Sequence, residues 1–212
     1  MTEPQNARGH RTVGALLAAT RDIIETDGLP ALTMAAVAER AGVTRRAVYL
    51  HFATRTDLVT ALYRSLGETE DLAVSLQAVW DTPDAVSGLR EWVAHLVRSH
   101  LRILAVLRAV EQAQHTDPDA AALWRTTQGN WLKGSRRVIE RLAREGMLAP
   151  HHSVDTATDL LWALMSLDLL DRLAHQRRWS KRRLTEQLTA TYVATFVATG
   201  DHPGERASSR RS

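Results

Sequence analysis

The stretch from Thr33 to Leu58, TMAAVAERAGVTRRAVYLHFATRTDL, holds the residue types and spacings that point most directly to chemistry. Thr44, Arg45, Arg46, Ala47 and Tyr49 fall on outward positions of one short helical segment. A hydroxyl, two guanidiniums and a phenol on one surface can bond phosphate oxygens and base edges together, the chemistry of duplex DNA recognition. The elements that must position them are two short helices, Met34 to Arg40 and Arg45 to His51, separated by Ala41-Gly42-Val43. These have the length and turn chemistry of a helix-turn-helix, whose second helix lies in the major groove. Gly42 suits a helix C-cap with positive φ. Val37, Ala38 and Ala41, then Val43, Val48 and Phe52, supply the small and branched side chains that a tight crossing needs.

Other chemistries find less support. There is no Gly-rich phosphate loop, no H-E-x-x-H and no G-x-S-x-G. Asp168-Leu-Leu-Asp171 has the spacing of a metal-diphosphate motif but no second carboxylate cluster, and Arg172 and His175 offer it ordinary ion-pair partners. His151-His152 sits in a loop without a third ligand. The absence of cysteine excludes a disulfide scaffold, a thiolate zinc site and a cysteine nucleophile. No enzyme activity, cofactor or metal is therefore expected.

From about Arg11 to Leu66 the chain resembles the TetR family of bacterial transcriptional repressors. The resemblance rests on Ala41-Gly42-Val43-Thr44, on Tyr49-Leu50-His51-Phe52, and on Arg55 followed by Asp57-Leu58. Family members often have lysine where Arg55 stands, a swap that keeps phosphate binding, and a small residue where Arg46 stands. The base-reading surface is therefore this protein's own. The resemblance implies that Thr33 and Thr44 hold phosphate at helix N-termini and that Tyr49, His51 and Arg55 clamp the DNA backbone. It also implies that Arg45, Arg46 and Ala47 face base edges, arginine toward guanine and Ala47 toward a thymine methyl.

Composition sets bounds on the rest. The 212 residues are 44% hydrophobic and 24% charged, an ordinary globular balance with enough chain for a real core. Of 27 basic residues only Lys133 and Lys181 are lysine, and the formal net charge is +3. Arginine forks well to phosphate and guanine, but a GC-rich genome produces the same bias. Composition permits nucleic acid without demanding it. No stretch approaches 18 uninterrupted apolar residues and the N-terminus has no apolar signal region, so a cytoplasmic protein with no membrane contact is expected.

The fold expected is all-α. Short helices come first: Val13 to Thr26, the two of the helix-turn-helix, and a fourth opened by the capping box Thr54-Arg55-Thr56-Asp57. Long ones follow: Thr82-Pro83-Asp84 to Gln114, Asp117-Pro118-Asp119 to Glu145, Val154 to Gln176 and Lys181 to Thr199. This divides the chain into a DNA-binding domain at 10–66, a helical effector-binding and dimerisation domain at 67–200, and a frayed tail at 201–212.

All six tryptophans lie outside the DNA-binding part. Trp92, Leu96, Ser99 and Ile103 share one helical stripe, with His95 and His100 at its margins. Trp124, Gln128 and Trp131 share another, and Trp162 with Met165 can complete a wall. Large aromatics interrupted by Gln, Ser and His suit either plain core or an apolar pocket with a few orienting groups. The resemblance favours the pocket, since family members bind small effectors there. No acid lies on these stripes, which favours a neutral or anionic apolar ligand. Leu164, Leu167 and Leu170 on one helix, with Leu184, Leu188, Tyr192 and Phe196 on the last, are expected to build a four-helix homodimer interface, as in the resembled family. A twofold dimer asks for a palindromic operator in double-stranded DNA. In the family's mechanism, effector binding shifts the helix from Ala53 to Leu66 and the DNA is released.

Overall fold

A computed structural model describes residues 5–69 and 72–198. The tail expected beyond 200 lies outside them. The described residues form ten α-helices with a 3-10 turn at Leu29–Ala31, a π-helical turn at Arg172–Gln176 and a single isolated β-bridge, Leu148 to Val197. No strand is present among them, so the fold is all-α.

The chain divides into two compact units. The first gathers the residues up to Val74 with Ser99–Gly129; the second joins Ser75–Arg98 to the residues from Asn130 onward. The divisions at 98/99 and 129/130 both fall inside long helices.

In the first unit, α1 (Gln5–Thr26) buries Leu16, Ala19, Ile23 and Ile24 on one face. Gly28, at φ 80°, and Pro30 then turn the chain. Thr33 caps α2 (Met34–Arg40), its hydroxyl accepting the Ala36 amide at 3.0 Å. The helix ends in paired backbone bonds, Gly42 N–H to Glu39 at 3.1 Å and Val43 N–H to Ala38 at 2.9 Å. This closure needs a left-handed residue at its centre, and Gly42 takes φ +66°. Thr44 caps α3 (Arg45–Tyr49) through the Ala47 amide. Then Thr54 and Asp57 bond reciprocally: Thr54 N–H donates to Asp57 Oδ2 at 2.8 Å, and Asp57 N–H to Thr54 Oγ1 at 3.1 Å. That is the expected capping box, and it starts α4 (Arg55–Thr69). Leu16, Ile23, Leu32, Val37, Val48 and Leu58 are the buried centre of this bundle.

Helix α5 (Leu72–Trp80) was not legible as a separate element. Helix α6 (Ala85–Ala113) is capped by Asp84, whose carboxylate accepts the Ser87 amide at 2.8 Å and its hydroxyl at 2.7 Å. The sequence placed the cap at Thr82; that hydroxyl instead donates to Val79 and accepts from Arg141. Helix α7 (Pro118–Arg144) starts as expected, with Asp117 capping and Pro118 leading.

In the second unit the single helix expected over 154–176 is broken. Helix α8 (Val154–Ala163) ends early, and Ser166 caps a new helix, α9 (Leu167–Asp171). The Leu164 carbonyl left at the break accepts a hydrogen bond from Tyr192 Oη at 2.8 Å, which ties it to α10 (Lys181–Phe196). A tertiary partner thus stabilises the interruption.

At Gly42 a Cβ would meet nothing within 4 Å, so the cost of a side chain there is purely that of the left-handed backbone. Gly42→Ala is expected to lower stability by about 1 kcal/mol in urea unfolding without changing the transition's slope.

Candidate nucleic-acid interface and effector residues

The contact residues expected on the helix-turn-helix are accessible. Thr33, Thr44, Arg45, Arg46, Tyr49, His51 and Arg55 are exposed, and Ala47 is half-buried. Val48 and Val37, on the opposite side, are fully buried and fix the crossing. The hydroxyls of Thr33 and Thr44 accept helix amides but keep their own O–H free to donate to a phosphate.

The arginines divide sharply. Arg40, just before the turn, pairs with Asp22 and Asp27 and so holds α2 to the end of α1. Among the described residues Arg45, Arg46 and Arg55 have no ion pair and no side-chain hydrogen bond. Tyr49 is likewise unpartnered and is 57% exposed. A surface carrying three unpaired guanidiniums beside an exposed phenol is built for anionic contacts supplied from outside the chain.

Sequence reasoning missed Leu50, which follows α3 and is 74% exposed. Its signal was available: a large apolar side chain at a position where Val48 already serves the core.

The expected effector residues split between the two units. In the first, Ser99, His100, Ile103 and Trp124 are buried and Gln128 is half-buried. Ser99 Oγ lies 3.4 Å from His100 Nδ1, and α6 leaves helical geometry at Ile103 (φ −124°, ψ 15°). In the second, Trp92, Leu96 and Met165 are buried and Trp131 is half-buried. Ser135 Oγ approaches Met165 Sδ at 3.4 Å. Trp162 departs from expectation. It is 36% exposed on α8, whereas its neighbour Leu161 is fully buried.

Trp92 anchors the second unit's aromatic cluster. Its ring lies 6.0 Å from that of Trp80 and 6.0 Å from that of His95, and the Arg137 guanidinium sits 3.9 Å over Trp80. Gly134 makes room for it, because a Cβ there would come within 2.3 Å of Trp92 Cη2. The indole Nε1 of Trp92 is buried without a hydrogen-bond partner among the described residues. His95 Nδ1 lies 2.9 Å from Ser75 Oγ, which also accepts from Arg98 at 3.0 Å. Burial, and then the Arg98 charge, push the imidazole down to about 4, so it is neutral at physiological pH.

The expected dimer residues also differ from expectation. Leu167, Leu170, Leu184, Leu188, Tyr192 and Phe196 are buried within their own chain, and Leu164 is half-buried. Their periodicity reflected the intramolecular core of the second unit. Elsewhere, His152 Nε2 contacts the Thr195 carbonyl at 3.2 Å and His175 pairs with Asp171 at 2.8 Å. No helix among the described residues is long and apolar enough to cross a membrane.

Residues 16–62 match the family model for bacterial regulatory proteins of the tetR family. The HTH-type transcriptional regulator TtgR of Pseudomonas putida is 28% identical over 169 residues, covering 72% of this chain and 80% of TtgR. A transcriptional regulator from Saccharomonospora viridis, solved with choline, superposes with a TM-score of 0.75 at 15% identity, covering 90% of this chain and all of the other. The SmeT–triclosan complex superposes with a TM-score of 0.65 at 18% identity, covering 90% and 93%. Residues 16–62 are thus similar to the DNA-binding part of the tetR family, and the curated relative that the chain matches over most of its length is a helix-turn-helix transcriptional regulator.

The lowered imidazole makes stability depend on pH. His95 in the unfolded chain takes a proton near its ordinary value of 6.5, but in the folded chain only near 4. Stability from the neutral, buried form is therefore complete above pH 6.5 and is lost as pH falls toward 4, by up to about 3 kcal/mol. Urea unfolding across that window is expected to show this slope in the wild type and a shallower one in His95→Gln.

Proposed function

We propose that the protein is a cytoplasmic repressor that holds a palindromic operator as a homodimer and releases it when a small apolar or aromatic effector enters the C-terminal helices. The observation that carries the DNA-reading part is the contrast between Arg40, paired internally, and Arg45, Arg46 and Arg55, which are exposed and unpaired. Arg45 and Arg46, in the first turn of α3, take the base edges; Tyr49, His51 and Arg55 take the phosphates.

For the effector, the buried aromatic side chains of α6 and α7 favour an apolar body, and the unpartnered Trp92 N–H favours one that carries an acceptor. Two neighbours of this fold were solved with choline and with triclosan, so the architecture accommodates small organic ligands. Because no acid lies on the aromatic stripes, the neutral class fits this chain better. The homodimer face is assigned to the outer surfaces of α8 and α10, which expose Leu160 and Trp162 on the first and Gln187, Ala190, Thr191 and Ala194 on the second. Small residues let two helices approach closely while Leu160 and Trp162 supply apolar area. Effector and DNA then weaken one another reciprocally, by about 1–3 kcal/mol, through displacement of α4.

Arg45→Ala or Arg46→Ala should cost about 1–3 kcal/mol of operator affinity and relax preference at one base position. Arg55→Ala should weaken all sequences alike and reduce the salt dependence by about one ion. Competition binding against single-base operator variants separates the two classes; identical profiles for the Arg45 and Arg55 variants would remove the base-reading role. Trp131→Ala is expected to leave operator binding intact while abolishing release by effector, measured by fluorescence anisotropy of labelled operator.

A further inference from the structure

The first unit contains an open groove of about 640 Å³ between α4 and the N-terminal half of α7. It shares no lining residue with the expected effector chamber. The two helices that form it are linked by Thr127, whose hydroxyl donates to Tyr63 Oη at 3.2 Å. The volume is in the range of small-molecule sites.

Its chemistry is specific. Thr60 of α4 lines the groove, is buried, and has a hydroxyl with no hydrogen-bond partner among the described residues. That is unusual in this chain. Thr20, Thr26, Thr126, Thr158 and Thr191 each donate to the carbonyl four residues earlier in their own helix, at 2.7 to 3.0 Å. Thr60 does not, and leaving a buried hydroxyl unmade is costly unless something else satisfies it. Two carboxylates, Asp57 and Asp119, also line the groove, against one cation, Arg64. Asp57 gives only one oxygen to the capping box. Among the described residues Asp119 and Arg64 form no ion pair with each other or with any other group. Ala61, Ala122 and Leu123 supply an apolar floor.

We propose that this groove is a second ligand site, for a small organic cation with an apolar body. The ammonium group takes the carboxylates of Asp57 and Asp119 and donates to the Thr60 hydroxyl, and the body lies on Ala61, Ala122 and Leu123. A ligand held there grips the capping box that starts α4, so it acts on that helix independently of the aromatic residues of α6 and α7.

The test is isothermal titration of the full chain with benzylammonium, with benzyl alcohol and benzoate as uncharged and anionic counterparts. Benzylammonium is expected to bind and both counterparts to fail. Asp119→Asn should weaken binding about tenfold, and Ala122→Trp, which fills the groove from an exposed position, should abolish it. Trp131→Ala should change nothing. Thermal melts establish that each variant is folded, and Asp119→Asn, a surface change, stands alone if Ala122→Trp does not fold. No heat with benzylammonium, equal binding of the alcohol or the benzoate, or full affinity in Asp119→Asn overturns the proposal. Loss of binding in Trp131→Ala with Asp119→Asn unaffected also overturns it, and assigns the amine to the effector residues instead.

Discussion

The reading surface depends on one backbone conformation. Gly42, at φ +66°, lets α2 close with two backbone bonds and lets the chain turn into α3 with Val37 of α2 and Val48 of α3 both fully buried. With those two side chains fully buried, the rest of α3 has no rotational choice. Arg45, Arg46 and Tyr49 must point outward, because turning them in would expose Val48 and bury unpaired guanidiniums. The capping threonines reinforce the same geometry from both sides of the turn: Thr33 starts α2, Thr44 starts α3, and the reciprocal Thr54–Asp57 pair starts α4. Three successive helix starts and one glycine stop thus specify a motif that contributes only a small apolar core of its own.

Charge is distributed to match. Arg40 lies five residues before Arg45, yet it is held by Asp22 and Asp27 and acts as a brace between α2 and α1. Elsewhere arginines are used within helices or as clasps, as with Arg21 to Glu25, Arg136 to Glu140 and Arg141 to Glu145. Exposed pairs of this kind contribute little each to stability. Their consequence here is negative: they use up carboxylates away from the turn, and among the described residues Arg45, Arg46 and Arg55 have no ion pair, which suits them to the DNA contacts proposed for them. A formal charge of only +3 therefore does not describe what DNA meets.

Legibility followed the range of the interactions. Signals within four residues were readable: the caps at Thr33, Thr44 and Asp117, the capping box at Thr54, and the stop at Gly42. Features decided by partners distant in sequence were not. The helix expected over 154–176 breaks where Tyr192, 28 residues from Leu164, takes the freed carbonyl. The cap moves from Thr82 to Asp84 because Arg141 engages Thr82 from α7. The leucines of α9 and α10 look alike whether they pack inward or against a second chain, and here Leu167, Leu170, Leu184 and Leu188 pack inward. Trp162, expected with Met165 to complete a wall, is partly exposed, whereas Met165 is buried. Thr60 could not have been singled out at all, since its unpartnered hydroxyl is visible only beside the many threonines that bond back to their own helix.

The central claim is that a paired, sequence-reading α3 acts on duplex DNA. The most direct test is selection of the purified full chain against random duplexes at near-physiological salt, with the enriched sequences read out. The account predicts a palindrome whose half-sites are centred about 34–36 Å apart, one helical turn, or a multiple of it. Enrichment of a single unrepeated half-site would contradict the dimer, and enrichment of no sequence under any effector condition would contradict α3 as the reading head.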